Sequence, residues 1–318
     1  MEPNQQEAVV KKYHFFRAPW LGTSNQFSFR EKKVRVYEHT MTQVNVCIDP
    51  EMKDEYEEQL KNHKNRTAIE PMLVNDPETA RFLIGYTGEG YYLTETHTAF
   101  SPIFGYHKNI PDLIQLVLLV TNWHAELERN NNNSGIRQDD VILEFEKLEG
   151  VERSLIENQQ GRSVHSSDPL VLEYKNNQPP ALRCKAYSKR QDLHLSALLL
   201  DSHYGITPMA NMKLPGADKP DYLNYSLDKN KLTWYLLSID PGLIDSDNSA
   251  VVQYVRFIIS TRRLNTGILA QPRFKTDVQL SASFIRGTKK RVLNVQDADW
   301  MAFNVPVKII FSNASYYK

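Results

Sequence analysis

Apolar and polar residues alternate along much of the second half of the chain, and this pattern predicts β-strands. Successive side chains of a strand point to opposite faces, so a period of two indicates one buried face. The stretches with this pattern, or with short apolar runs between turn residues, are PLVLEYK, ALRCKAYS, DLHLSALLLD, KLTWYLLSI, VVQYVRFIISTRR, TDVQLSASFIRG and AFNVPVKIIFS. Long loops separate them and no repeat is visible. The expected fold is therefore mainly β, an antiparallel, jelly-roll-like sandwich.

Helices are predicted only in the N-terminal half. Asp49 and Pro50 form a helix start signal before EMKDEYEEQLKNHK, because aspartate caps helices and proline fits their first turn. Residues 110–128 are apolar enough for a buried helix, although their β-branched content leaves a strand open for the middle. Residues 141–155 also carry apolar side chains at helical spacing, interrupted by Gly150. We expect these helices as insertions in the β-rich chain.

Turn residues and proline refine the strand predictions. The stretch RFLIGYTGEGYYLTETHTAF predicts a β-hairpin that turns at residues 88–90, because no Lys-Ser/Thr follows its glycines as in a phosphate-binding loop. Residues 32–48 alternate as a long half-buried strand would. Pro306 places the last strand at a sheet edge or at a bulge, since proline donates no hydrogen bond to a ladder.

The domain organisation follows from where these patterns begin. Residues 1–25 mix aromatic and charged side chains without a period, which is typical of an arm that packs on the body or on a neighbouring copy. Residues 26–318 are predicted to form a single β-rich domain. The loop at 157–169 is the best linker if that domain is subdivided.

Composition narrows the class of protein. The chain has 41% hydrophobic and 24% charged residues, as globular proteins do. Its two cysteines have no disulfide-framework or zinc-site spacing, which favours a reducing compartment. We expect no signal peptide and no membrane span, since the longest apolar run, LIQLVLLV, is far shorter than the roughly 20 residues of a spanning helix. The expected location is a virion or the host cytoplasm or nucleus.

The zero net charge hides an asymmetry between the halves. Residues 1–182 contain 19 Lys and Arg against 27 Asp and Glu, whereas residues 183–318 contain 19 against 11. Loss of glutamate accompanies a switch to strands. A basic surface for a polyanion is the functional alternative. Unlike halves of two copies would also attract each other, which favours self-assembly.

No local motif of catalysis, metal binding or cofactor binding is present. The histidines form no zinc signature, and His124 with Glu126 lacks cysteine partners. Asp201 and His203 follow an apolar strand, where a turn cap is the simpler explanation than catalysis. We therefore expect no cofactor, no metal and no enzyme activity, although catalytic groups from distant positions remain an alternative.

A basic cluster near the C-terminus is the strongest candidate site. The stretch SFIRGTKKRVLN concentrates cations behind a predicted strand, and another strand ends in two arginines. The predicted nucleic-acid-binding residues are Arg286, Lys289, Lys290, Arg291, Arg262 and Arg263. Such a cluster would neutralise phosphates without reading sequence. A solvated hairpin tip, protected by lysine from edge pairing, is the structural alternative.

These patterns lead to two function hypotheses from different classes. The first is a structural protein that assembles with itself, the coat (capsid) protein of a small non-enveloped virus, with single-stranded nucleic acid as a partner. The second is a nucleic-acid-binding or viral movement-type accessory protein that uses the basic C-terminal half. A ligand-binding or enzymatic domain built on the 203–230 loop is a third alternative. All three rest on architecture, which does not determine function.

Overall fold

The structure is a computed structural model. It describes residues 44–62, 71–152, 154–156, 159–164, 170–175, 178–216, 221–222, 235–236, 250–274 and 298–311. The predicted arm at 1–25, the alternating residues 32–43 and the predicted strand TDVQLSASFIRG lie outside these ranges.

Two helices and fourteen strands make up the described part of the chain. The helices are α1 (Lys53–Asn62) and α2 (Ile110–Glu128). The strands are β1 (Asn45–Ile48), β2 (Met72–Val74), β3 (Phe82–Thr87), β4 (Gly90–Glu95), β5 (Val141–Leu148), β6 (Arg162–Val164), β7 (Leu170–Tyr174), β8 (Ala181–Ser188), β9 (His194–Leu200), β10 (Ile206–Lys213), β11 (Asp221–Tyr222), β12 (Tyr235–Leu236), β13 (Ala250–Ser260) and β14 (Trp300–Phe311). The prediction of a mainly β chain with helices in its first half is confirmed.

The strands form three sheets. A four-stranded sheet, here called the hairpin sheet, has the order β2-β1-β3-β4. A five-stranded central sheet has the order β10-β9-β13-β14-β7. A flanking sheet has the order β11-β8-β5-β6, and β12 also pairs with β8. The central sheet therefore collects strands that are far apart in the sequence.

One hydrophobic cluster joins the central and flanking sheets. The central sheet contributes alternate side chains such as Val255, Phe257 and Ile259 of β13, and the flanking sheet contributes residues such as Leu143 and Phe145 of β5. The intervening side chains of β13 face the other way, where Ile258 packs in a cluster that includes a residue of α2. Both faces of the central sheet are thus covered, which explains its nearly continuous apolar sequences.

Helix α2 lies between the hairpin sheet and the central sheet. Fourteen of its 19 residues are buried. Its first half packs with β1, β3 and β4, and Trp123 near its end packs with the central sheet. The strand alternative for this segment is therefore wrong. Neither helix of the described chain is long and apolar enough to cross a membrane.

The helix start at Asp49 is confirmed in detail. The Asp49 carboxylate accepts a hydrogen bond from the Glu51 amide at 3.1 Å, and Pro50 opens a 3-10 turn that leads into α1. The predicted hairpin at residues 88–90 is also confirmed as the turn between β3 and β4.

The helical interpretation of residues 141–155 is wrong. This segment begins with β5, which pairs antiparallel with β8 along its whole length. Val141, Leu143 and Phe145 are buried on one face while Glu144 is exposed. The same residues satisfy a period of two, and the neighbouring strand β8 selects that period because it supplies both hydrogen bonds and a buried face.

The predicted antiparallel arrangement holds for most strand pairs, but three pairs are parallel. These are β1 with β2, β1 with β3, and β14 with β7. Pro306 lies in an internal strand rather than at a sheet edge, so that part of the prediction is wrong. The ladder with β7 begins only at Val307, however, so Pro306 lies just outside the stretch of β14 that is paired on both sides.

Side chains cover the strand edges that this pairing leaves open in the central sheet. Asn130 accepts from the Ala302 amide, and Asn131 donates to the Trp300 carbonyl at 2.9 Å. On β7, Lys147 donates to the Val171 carbonyl at 2.9 Å. These contacts occupy backbone groups that would otherwise template pairing with another chain.

Candidate functional site

A group of basic side chains lies at one end of the central sheet, where β10 and β13 end and β9 begins. The strand register places Lys213 opposite His194, and His194 opposite Ser260. The chain continues from Ser260 to Arg262 and Arg263. We call Lys213, His194, Arg262 and Arg263 the basic rim.

The two arginines of the basic rim are the only predicted site residues within the described chain. Both are exposed, and neither forms an ion pair with a residue that the structure describes. Ser260 fixes the turn that carries them, because its hydroxyl donates to the Arg262 carbonyl at 2.6 Å. The other four predicted residues, Arg286, Lys289, Lys290 and Arg291, lie outside the described residues.

Carboxylates near the rim offset a fraction of its charge. Asp192 pairs with Lys213 at 2.5 Å, and both side chains are well exposed, so the pair contributes little to stability. Asp299 accepts from the Gly135 amide at 2.8 Å, and its backbone bonds to Thr261. Arg190 donates to the Gly135 carbonyl and to the Asp140 carboxylate. Among the described residues, Asp192 is therefore the carboxylate that pairs directly with a cation of the rim.

His194 is the least obvious member of the rim. Burial lowers its pKa from the ordinary 6.5, and the charges of Lys213 and Arg263 lower it further, while Asp192 acts in the opposite direction. Its Nδ1 is buried and has no hydrogen-bond partner within the described part of the protein. The imidazole is therefore held neutral at a place of positive potential. Sequence analysis missed His194 and Lys213 because only the strand register brings them to the arginines.

The hairpin sheet presents a second surface that the sequence did not reveal. The helices cover one face, which holds Phe82, Ile84 and Leu93. The register places Val74, Leu83 and Tyr92 on the opposite face, which we call the open face. Val74, Leu83 and Tyr92 are half-buried there, while Cys47 and Thr94 on the same face are buried.

Exposed apolar side chains border the open face. Met72 on β2 is 48% exposed and Phe100, which follows β4, is 57% exposed. The Phe100 ring packs edge-on against Tyr92, with centroids 5.1 Å apart. The Tyr92 ring in turn lies across Gly85, where a side chain would collide with it. Burial raises the pKa of the Cys47 thiol on this face, and the neighbouring carboxylates Asp76 and Asp49 raise it further.

The other polar groups considered from the sequence have structural roles. Asp201 accepts from the amides of His203 and Gly205, both at 2.9 Å, and pairs with Arg273 at 2.5 Å. It is therefore the turn cap that the sequence suggested. His124 and Glu126 are both buried rather than paired on the helix surface: Glu126 pairs with Arg256 at 3.1 Å, while His124 packs among aromatic rings.

His124 gives a pH dependence to the stability of this interior. Burial lowers its pKa well below the ordinary 6.5, and the charge of Arg81 lowers it further. The unfolded chain therefore takes up a proton first, so the free energy of unfolding should fall as the pH drops below about 6.5 until the folded-state pKa is passed. We expect His124→Phe to flatten this fall in urea titrations. The exposed His97→Phe is the control, and equal slopes in all three proteins would contradict the assignment.

No cluster of three or more side chains suited to a metal ion occurs within the described residues. Comparison with protein-family models, with curated proteins and with solved structures finds no match. The basic rim and the open face are therefore the two surfaces from which a function has to be inferred.

Proposed function

We propose that this protein is a structural protein that assembles with copies of itself, as the coat protein of a small non-enveloped virus does. The proposal rests chiefly on the open face of the hairpin sheet. Two large apolar side chains, Met72 and Phe100, are exposed beside this face, and exposed apolar side chains next to each other are typical of protein-protein contact sites. The mainly β body, the long loops and the low cysteine content are compatible with this role.

A sandwich architecture is part of the proposal. The central and flanking sheets contribute side chains to one cluster, as two sheets packed face to face would. The parallel pairing of β14 with β7 departs from a jelly roll, in which neighbouring strands are antiparallel. We therefore propose a sandwich with a mixed central sheet, on which the hairpin sheet and α2 are mounted.

We propose a second copy of this chain as the occupant of the open face. Asp49 and Asp76 give its margin a negative charge, and the N-terminal half carries an excess of acidic residues. The C-terminal half carries an equal excess of basic residues. Complementary surfaces on one chain favour contact between unlike regions of two copies, and such head-to-tail contacts build rings, shells or filaments.

Light scattering after size exclusion, with negative-stain microscopy, tests the proposal. We expect the wild-type mass to be a multiple of 36.8 kDa and the particles to be symmetric. Met72→Lys with Phe100→Lys should shift the mass to the monomer, because buried lysines would oppose contact at the open face.

The matched control is Leu155→Lys with Val252→Lys. These two side chains are 49% and 43% exposed and lie away from the hairpin sheet, so the control should assemble as the wild type does. A wild-type monomer at all concentrations would overturn the proposal. An unchanged mass in the Met72 and Phe100 variant would show that the open face is not the contact surface between copies.

The second candidate function is a nucleic-acid-binding or movement-type accessory protein. The exposed Arg262 and Arg263, which have no ion pair among the described residues, favour it. Salt distinguishes the two functions, because assembly through apolar contacts survives high salt whereas phosphate contacts weaken steeply.

A further inference from the structure

We propose that the basic rim binds the phosphate backbone of nucleic acid and that His194 makes this binding stronger as the pH falls. The choice of nucleic acid as the partner rests on the proposed structural function, in which an assembly encloses it. The site itself is present on a single chain, so it can be tested whether or not the protein assembles.

The strand register builds the site from three parts of the chain. Lys213 ends β10, His194 begins β9, and Arg262 and Arg263 follow β13. The ladder places Lys213 and the turn that carries Arg262 and Arg263 on either side of His194, and the charges of Lys213 and Arg263 act on its ring. Adjacent strands are about 4.8 Å apart, so Lys213, His194 and the chain at Ser260 lie side by side at this end of the sheet.

The charges of the rim are available to a ligand. Arg262 and Arg263 have no ion pair with any described residue and are exposed. Lys213 has a partner in Asp192, but the two side chains are 60% and 75% exposed, and such a pair is readily exchanged for another. A guanidinium offers two parallel donors to a phosphate, which makes arginine the stronger contact. These contacts would hold a backbone without selecting a base sequence.

His194 couples binding to protonation. In the free protein the charged groups that act on its ring are Lys213 from β10, Arg263 after β13 and the carboxylate of Asp192. A bound phosphate adds negative charge beside the ring and favours its protonated form. Binding should therefore take up a proton, and by linkage the affinity should increase as the pH decreases.

Fluorescence anisotropy with a labelled oligothymidylate of about 20 nucleotides tests the contacts. The full-length wild type should bind at about 50 mM salt and weaken steeply towards about 200 mM. Arg262→Ala with Arg263→Ala should weaken binding about tenfold or more. It should also reduce the slope of log affinity against log salt by about 1.4, since each single-strand phosphate contact contributes about 0.7.

Lys308→Ala is the matched control for the loss of a cation. Lys308 is exposed on β14, eight residues along the strand from Trp300, which corresponds to about 26 Å. The oligonucleotide affinity of Lys308→Ala and the dependence of that affinity on salt should equal those of the wild type. Arg262→Lys with Arg263→Lys should keep the salt slope, because the charge remains, and should lose part of the affinity.

The dependence of oligonucleotide binding on pH has its own test. Between about pH 7.5 and about pH 5.5 we expect the wild-type affinity to rise about three- to tenfold, and His194→Gln should remove this rise while it keeps the affinity at the higher pH. Circular dichroism at each pH shows whether the protein stays folded. An equal pH dependence in the wild type and in His194→Gln would overturn the role of His194.

Several outcomes separate this inference from the proposed assembly. Oligonucleotide binding by a protein that is monomeric in light scattering would leave the basic rim intact and reject assembly. Assembly without binding, or binding that is unaffected by the arginine substitutions, would reject the basic rim. Binding to phosphatidylserine vesicles but not to the oligonucleotide would also reject nucleic acid as the partner.

Discussion

Replacing Arg256 by alanine should lower the free energy of unfolding by about 3 to 5 kcal/mol, because it would remove one of the two cations that pair with the buried Glu126 carboxylate and leave buried carbonyls without donors. Arg256 lies in β13, is 1% exposed, and faces the end of α2. Its guanidinium bonds to Glu126 at 3.1 Å, to the Leu127 carbonyl at 3.1 Å and to Asn304 at 2.8 Å. It also donates to the Arg129 carbonyl.

The arrangement fixes α2 on the central sheet. The last carbonyls of a helix have no partner inside it, and Arg256 supplies donors for two of the carbonyls at this end. Glu126 in turn pairs with Arg129 at 3.2 Å as well as with Arg256. The loss of Arg256 would therefore leave a buried charge and buried carbonyls together, which costs more than the loss of an exposed ion pair.

Urea denaturation followed by circular dichroism measures this cost. Lys308→Ala, an exposed change on the neighbouring strand, should stay within about 0.5 kcal/mol of the wild type. The double variant Arg256→Met with Glu126→Gln should recover part of the loss, because it removes both charges. If Arg256→Ala were as stable as the control, the contacts to α2 would have no energetic role.

Phe257→Ala should lower the free energy of unfolding by a similar amount, about 3 to 5 kcal/mol. Phe257 is fully buried in the cluster shared by the central and flanking sheets. Its ring stacks on Phe303 of β14 at 5.5 Å and approaches Phe145 of β5 at 6.2 Å. Alanine would leave a cavity between the two sheets, and a close-packed interior relaxes only in part.

Calorimetry and urea titration of Phe257→Ala also test whether the two sheets unfold together. A single shifted transition is expected, because the two sheets share this core. Val252→Ala in the same strand, where the side chain is 43% exposed, is the control and should have a small effect. Two separate transitions, with only one shifted by Phe257→Ala, would contradict the proposed sandwich.

The strand predictions succeeded where the local pattern and the final environment agree. Ala181–Ser188 and His194–Leu200 are strands within the stretches that alternation or apolar runs indicated. Asp49 also fulfils its predicted role, because a cap needs only neighbours in the sequence. Arg262 and Arg263 were recognisable because two adjacent cations after a strand are a local feature.

The failures arise where two local patterns compete. Val141, Phe145 and Leu148 fit a helix, while Val141, Leu143 and Phe145 fit a strand. Only pairing with β8, which lies about 40 residues later in the sequence, decides between them. The polar stretch NNNNSG at residues 130–135 is a further case, because Asn131 within it is buried against β14.

The sequence by itself determined the β-rich class, the helix start at Asp49, the hairpin turn and the charge asymmetry, because each depends on neighbouring residues or on composition. Only the tertiary structure decided the strand order, the parallel pairs, the open face and the approach of His194 and Lys213 to the arginines. Those features depend on which distant strands share a ladder. Hydrogen bonds between backbones carry no side-chain signature, so register follows from the packing of the whole chain.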